Sequence, residues 1–177
     1  MRKWILSLPF IFSILPAACG QNKAPEERPH CENPAFDAKV AGMLQMDVPV
    51  IGVQELRNIQ DEVHIFDARK RAEYEVSHIP GARYLGFDDF DPERLEGLPK
   101  DAPIVLYCSI GYRSEKIGEK LEKMGYTRVY NLFGSLFEWA NRGFPMVDGQ
   151  GRPTKAIHTY NKNWSKWVDD QKADKTW

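Results

Sequence analysis

The stretch YCSIGYR (107–113) gathers a thiol, a glycine and a guanidinium into a few consecutive positions. Before it runs PIVLYC (103–108), apolar and β-branched enough to read as a buried strand. After it, Ile117, Leu121 and Met124 recur at helical spacing, so a helix is expected over about 114–124. A cysteine at a strand-to-helix junction meets free backbone N–H groups and the positive end of a helix dipole. An anion is stabilised there, and a thiol in that position loses its proton more readily and becomes a nucleophile. Gly111 can adopt positive φ, which lets Ser109, Ile110, Gly111, Tyr112 and Arg113 curl with their amides inward. Arg113 is the candidate contact for an incoming oxyanion. The competing reading makes Cys108 one more small apolar residue in a core strand. Its place between a strand end and a glycine loop favours reactivity.

The elements that position this loop alternate along the chain. Asn33-Pro34 caps a helix carrying Phe36, Val40, Met43 and Leu44. Strands are expected over 48–53, 63–68, 82–87, 103–108 and 128–132. Helical segments are expected at 53–59, 69–76, 92–98, 114–124 and 135–143, with Ile79-Pro80-Gly81 as a break. Strands separated by helices need crossover connections, which implies an α/β fold of three layers, a mainly parallel central sheet flanked by helices. Ligands of such sheets bind beyond the carboxyl ends of the strands, where both Cys108 and Asp67 fall.

Composition narrows the function. The chain has 177 residues, a formal net charge of −1 and three cysteines. The length suits one principal domain, and the charge gives no electrostatic case for nucleic acid. The cysteines have neither the number for a disulfide scaffold nor the paired spacing of a zinc site. At the N-terminus, Arg2 and Lys3 precede an interrupted apolar run that ends in Ala17-Ala18-Cys19. Residues 1–18 therefore read as an export signal, too short and broken for a spanning helix. LPAACG resembles the bacterial lipobox, although Pro16 occupies the place where that pattern prefers leucine. Cys19 is the lipidation candidate, with plain cleavage after Ala18 as the alternative. Both readings put the mature protein outside the cytoplasm, in the first case anchored to a bacterial membrane. Residues 19–32 are polar with two prolines and read as a tether, 33–149 as the domain, and 150–177 as an extension.

Three motifs in order resemble the rhodanese-domain sulfurtransferases. CSIGYR is similar to their active-site loop. DARKRAEYEVSHIPGA follows their pattern at Asp67, Arg69, Glu73, Tyr74, His78, Ile79, Gly81 and Ala82. NLFGSLFEWANRGFPM follows their closing segment at Gly134, Trp139, Gly143 and Pro145, with Ser135 where a second glycine is usual. The resemblance covers about 48–147. It implies that Cys108 takes a sulfane sulfur from an anionic donor such as thiosulfate and passes it to cyanide or a thiol, with a protein acceptor possible. It implies neither cofactor nor metal. Asp67 and Arg69 are then supports of the loop, and His78 is structural.

Other functions are compatible with these residues. Phosphatase and arsenate-reductase loops have one residue more between cysteine and arginine than the four here, Ser109 to Tyr112, so loop length counts against them. Cys31 could resolve an oxidised Cys108 in a thiol–disulfide cycle, or it is an incidental linker thiol. A non-catalytic or sulfur-carrier binding module is the third alternative. The extension interleaves lysines with Tyr160, Trp164 and Trp167. That composition suits base stacking or a membrane interface, but packing against the domain with lysines outward is the favoured reading.

Overall fold

The computed structural model describes residues 28–177. The expected export signal, Cys19 and most of the tether lie outside them. Among the described residues, no helix is long and apolar enough to cross a membrane. In chain order the elements are α1 (Pro34–Ala41), β1 (Val50–Ile51), α2 (Val53–Ile59), β2 (His64–Asp67), α3 (Arg71–Val76), β3 (Arg83–Tyr84), β4 (Ile104–Tyr107), α4 (Tyr112–Lys123), β5 (Val129–Leu132), α5 (Ser135–Asn141), β6 (Met146–Val147), β7 (Pro153–Thr154), β8 (Ala156–His158), α6 (Lys162–Ser165) and β9 (Asp174–Thr176).

Five strands form one parallel sheet in the order β1-β5-β4-β2-β3. Side chains of β4 alternate between its faces. Val105 and Tyr107 join the core with α1, α2 and α5, whereas Ile104 and Leu106 join Ile117 and Leu121 of α4. Apolar residues are needed on both faces, which is why the strand reads as a continuous run. β4 lies between β2 and β5, so Cys108 emerges near the middle of the sheet's carboxyl edge.

Several expected boundaries move. The strand expected over 48–53 is only Val50–Ile51, because Gly52 caps α2. The strand expected over 82–87 shrinks to Arg83–Tyr84. Met124, expected on the buried face of its helix, is exposed, since it follows the last turn of α4. Residues 28–32, expected in the tether, are held against the domain. Arg28 pairs with Asp37 at 2.5 Å, the Cys31 amide donates to Asp37 Oδ1, and the Cys31 side chain is buried at 3% exposure. Cys31 is thus a core residue, not a linker thiol. Its sulfur lies where only a glycine fits opposite: a Cβ on Gly134 would come within 2.6 Å of it.

The extension folds onto the domain. β6 and β7 form a hairpin, and β8 pairs in parallel with β9. Trp167 stacks on Phe36 with ring centroids 5.6 Å apart, while Ile157, Val168 and Ala173 enter the larger core.

Candidate active site

The reactive loop is shaped by where its carbonyls go. Cys108 C=O accepts from Leu136 N at 3.2 Å and Ser109 C=O from Phe137 N at 3.1 Å, so the first turn of α5 draws both oxygens to one side. Gly111 C=O accepts from Ser114 Oγ, Asn131 Nδ2 and Glu115 N, at 3.0, 3.1 and 3.0 Å. With the oxygens tied outward, the amides face inward. Gly111 N–H points at Cys108 Sγ, 3.2 Å away, and the amides of Ile110 and Ser114 converge on the same sulfur. Gly111 carries φ +119, and a Cβ there would sit 3.3 Å from Leu44 Cδ1. Both the turn and the close approach therefore require glycine. α4 starts at the next residue and aims its positive end at the thiol.

Cys108 is 1% exposed, yet it forms part of the floor of a cavity of about 370 Å³. Ser109, Ile110, Tyr112 and Arg113 line the same space. Burial pushes the thiol up, but the charge of Arg113 and the amides of Ser114, Gly111 and Ile110 outweigh it, and the thiol ends below its ordinary range. Cys108 is thus a buried residue that borders the cavity.

Arg113 does not stand free in the cavity. Its Nη1 and Nη2 bond both oxygens of Glu73 at 2.7 and 2.8 Å, and Nη2 also donates to Ser109 Oγ at 3.0 Å. Burial disfavours the Glu73 carboxylate, but Arg113 more than offsets it and holds the group at about 2. Glu73 also accepts from Lys70 N at 3.0 Å, anchoring the first turn of α3. The guanidinium is thus positioned beside the loop by a fixed carboxylate.

Asp67 and Arg69 form a separate pair with no exposed surface. Arg69 Nη2 lies 2.6 Å from Asp67 Oδ2, Nε bonds both carboxylate oxygens at 3.0 Å, and Nη2 also donates to Ser77 C=O. Neither residue hydrogen-bonds the cysteine loop. They lock the end of β2 to the turn after α3. His78 stacks on Tyr74 at 3.8 Å and exchanges backbone hydrogen bonds with Val147, a structural place. Cys31 and Cys108 are both free, buried thiols. Burial and the Glu138 carboxylate push the Cys31 thiol far up, so it stays protonated and unsuited to resolving a disulfide.

Several residues of the site escaped the sequence reading. Glu73 appeared there only as a member of a motif, not as the partner of Arg113. Ser135, which stands where the resembling pattern has a second glycine, adopts φ +51 and makes the turn. Its hydroxyl donates to Leu132 C=O at 2.9 Å and accepts from Cys108 N at 3.2 Å. Small size and a short hydroxyl were the available signal. Tyr160 and Trp164 of the extension line the cavity, as do Met43, Lys70, Phe87 and Asp88.

Comparison with known proteins gives a match to the family described as "Rhodanese-like domain" over residues 52–142. The chain is 38% identical over 98 residues to a protein named "Sulfurtransferase" from Allochromatium vinosum, covering 55% of this chain and 90% of that one. It is 32% identical over 131 residues to a "tRNA uridine(34) hydroxylase" from Salmonella newport, covering 71% of this chain but only 35% of the relative. Among solved structures, a thiosulfate sulfurtransferase from Pseudomonas aeruginosa superposes with TM-score 0.55 at 22% identity, over 76% of this chain and 26% of that one. A rhodanese-like domain from Anabaena gives TM-score 0.53 at 24% identity, over 56% and 79%. These two likenesses concern the fold.

Proposed function

The chain belongs to the rhodanese-like family, and from that premise we propose that it is a sulfurtransferase in which Cys108 itself carries the transferred sulfur. The observation that carries this reading is the convergence of three amide N–H groups on a thiol at the floor of an open cavity. In the first half-reaction, Cys108 Sγ⁻ attacks the outer sulfur of thiosulfate. The Sγ–S bond forms as the S–S bond of the donor breaks, and sulfite leaves with the electron pair. The amides of Ile110, Gly111 and Ser114 stabilise the charge on sulfur before and after the step, as an oxyanion hole does for oxygen. In the second half-reaction, an acceptor thiolate or cyanide attacks the terminal sulfur, and the pair returns to Cys108 Sγ. No step needs a metal. The sulfurtransferase relative supports this reading over the hydroxylase ones because the chain spans nearly all of the former and about a third of the latter.

Intact-mass measurement after exposure to thiosulfate tests it. Wild type is expected to gain one sulfur and Cys108→Ser none; equal gain by both, or none by either, overturns the assignment. We also propose export with lipidation at Cys19, supported by the residues before it. A fatty-acid label entering wild type but not Cys19→Ala is the expected result, and label in both or neither refutes it.

A further inference from the structure

The site holds two residues from outside the matched domain. The family match ends at residue 142, yet Tyr160 and Trp164 line the cavity over Cys108. Tyr160 adopts φ +66, a strained conformation for a tyrosine, and stays 50% exposed. Its amide is held by His158 Nδ1 at 3.0 Å, and its ring lies 5.5 Å from the Arg113 guanidinium. An exposed ring on a strained backbone gains little for the core. What it does is extend an aromatic and apolar wall, with Trp164, Met43 and Phe87, above the sulfur.

The charges at the cavity say what that wall is for. Arg113 is paired with Glu73 and acts on the Cys108 thiolate, so it is already engaged within the protein. The other charged lining residues are Lys70 and Asp88, one of each sign, 3.8 Å apart and more than half exposed at the rim. A small dianion finds one partner there and one opponent. A ligand bearing an ammonium and a carboxylate on the same carbon finds two partners. The volume, about 370 Å³, corresponds to about a dozen water-sized groups at ~30 Å³ each, more than an inorganic anion fills.

Resting on the reading of Cys108 as sulfur carrier, we infer that Tyr160 and Trp164 complete the site and, with Lys70 and Asp88, select an amino-acid-type thiol as the sulfur acceptor. The acceptor thiolate attacks the terminal sulfur of Cys108–S–SH. The new S–S bond forms as Sγ–S breaks, the electron pair passes to Cys108 Sγ, and the proton stays on the transferred sulfur. Wall and rim hold the body of the acceptor while the reacting sulfur points down to the floor.

Persulfidated protein is mixed with L-cysteine or with 2-mercaptoethanol, and loss of the extra sulfur is followed by mass, each rate corrected for thiolate fraction. Wild type is expected to discharge to L-cysteine about tenfold or more faster than to 2-mercaptoethanol, the discrimination a few specific contacts supply. Tyr160→Gly relieves the strained φ while removing the ring, so the fold is retained. In that variant, in Trp164→Ala and in Lys70→Ala, the ratio is expected to fall toward one. Trp177→Ala, far along the exposed terminus, keeps the ratio of wild type. A wild-type ratio near one, slow discharge to both thiols alike, or a ratio untouched by all three variants overturns the inference. If thiosulfate does not load the wild type, the reading of Cys108 falls, and this inference with it. Loading with an unaltered ratio sinks the inference alone.

Discussion

Replacing Glu73 with glutamine keeps the shape of the side chain and removes its charge. In the native protein both carboxylate oxygens bond Arg113 at 2.7 and 2.8 Å, with the Glu73 side chain 2% exposed. The acid is held at about 2 against an ordinary 4.5, which converts to about 3 kcal/mol of folding free energy. Breaking a buried ion pair by removing one partner independently suggests ~3–5 kcal/mol. Because the folded group is the stronger acid, this stability is complete above pH 4.5 and disappears as pH falls through about 2. At neutral pH, thermal melts are expected to place Glu73→Gln about 6–12 °C below wild type, from ~2–4 °C per kcal/mol for a domain of this size. The gap between the two proteins should narrow steadily below pH 4.5, and other acidic groups cancel in that difference. A gap under about 2 °C at pH 7, or one still undiminished near pH 2.5, would refute the view that Glu73 works as a buried counter-ion.

The same geometry makes further predictions. Ser135→Ala loses both hydroxyl hydrogen bonds and keeps the left-handed strain, so it is expected to cost ~1–3 kcal/mol in denaturant titration. Ser135→Gly relieves that strain, ~1–2 kcal/mol for a non-glycine residue in the left-handed region, and must come out more stable than the alanine variant; the reverse order rejects the role given to the backbone there. Gly111→Ala forces a side chain onto φ +119 against Leu44, and should abolish sulfur loading even where the protein stays folded, as read by circular dichroism. Iodoacetamide should modify Cys108 rapidly at pH 7 and leave Cys31 intact until denaturant is added. The pH profile of the Cys108 reaction should move upward in Arg113→Met, since the guanidinium is the main charge favouring the thiolate.

The parts legible in the sequence are those written along the chain. Strand and helix alternation gave the layered parallel sheet, and the step from β4 through Gly111 to α4 located the thiol. Partners that meet across the fold left weaker traces. Glu73 is 40 positions from Arg113, and nothing in a one-dimensional spacing distinguishes it from any acidic residue in a first helical turn. Arg113 was accordingly expected to face the donor, when two of its hydrogen bonds are committed to that carboxylate. Cys31 looked like linker because its neighbours are polar, yet Asp37 and Arg28 fold that stretch against Gly134 and bury the thiol. Tyr160 and Trp164 carried an aromatic signal that composition alone assigns to core, and only the turn after β8 directs them to the cavity.

The two carbonyls captured by α5 have a consequence for turnover. Rotating the peptide planes after Cys108 and Ser109 would rupture the bonds from Leu136 and Phe137 together, so the base of the site behaves as a fixed mould. A guest one atom larger must be accommodated without any crankshaft motion beneath it. Whatever opening and closing accompanies entry and departure therefore falls to the opposite side, where a tyrosine ring stands in water.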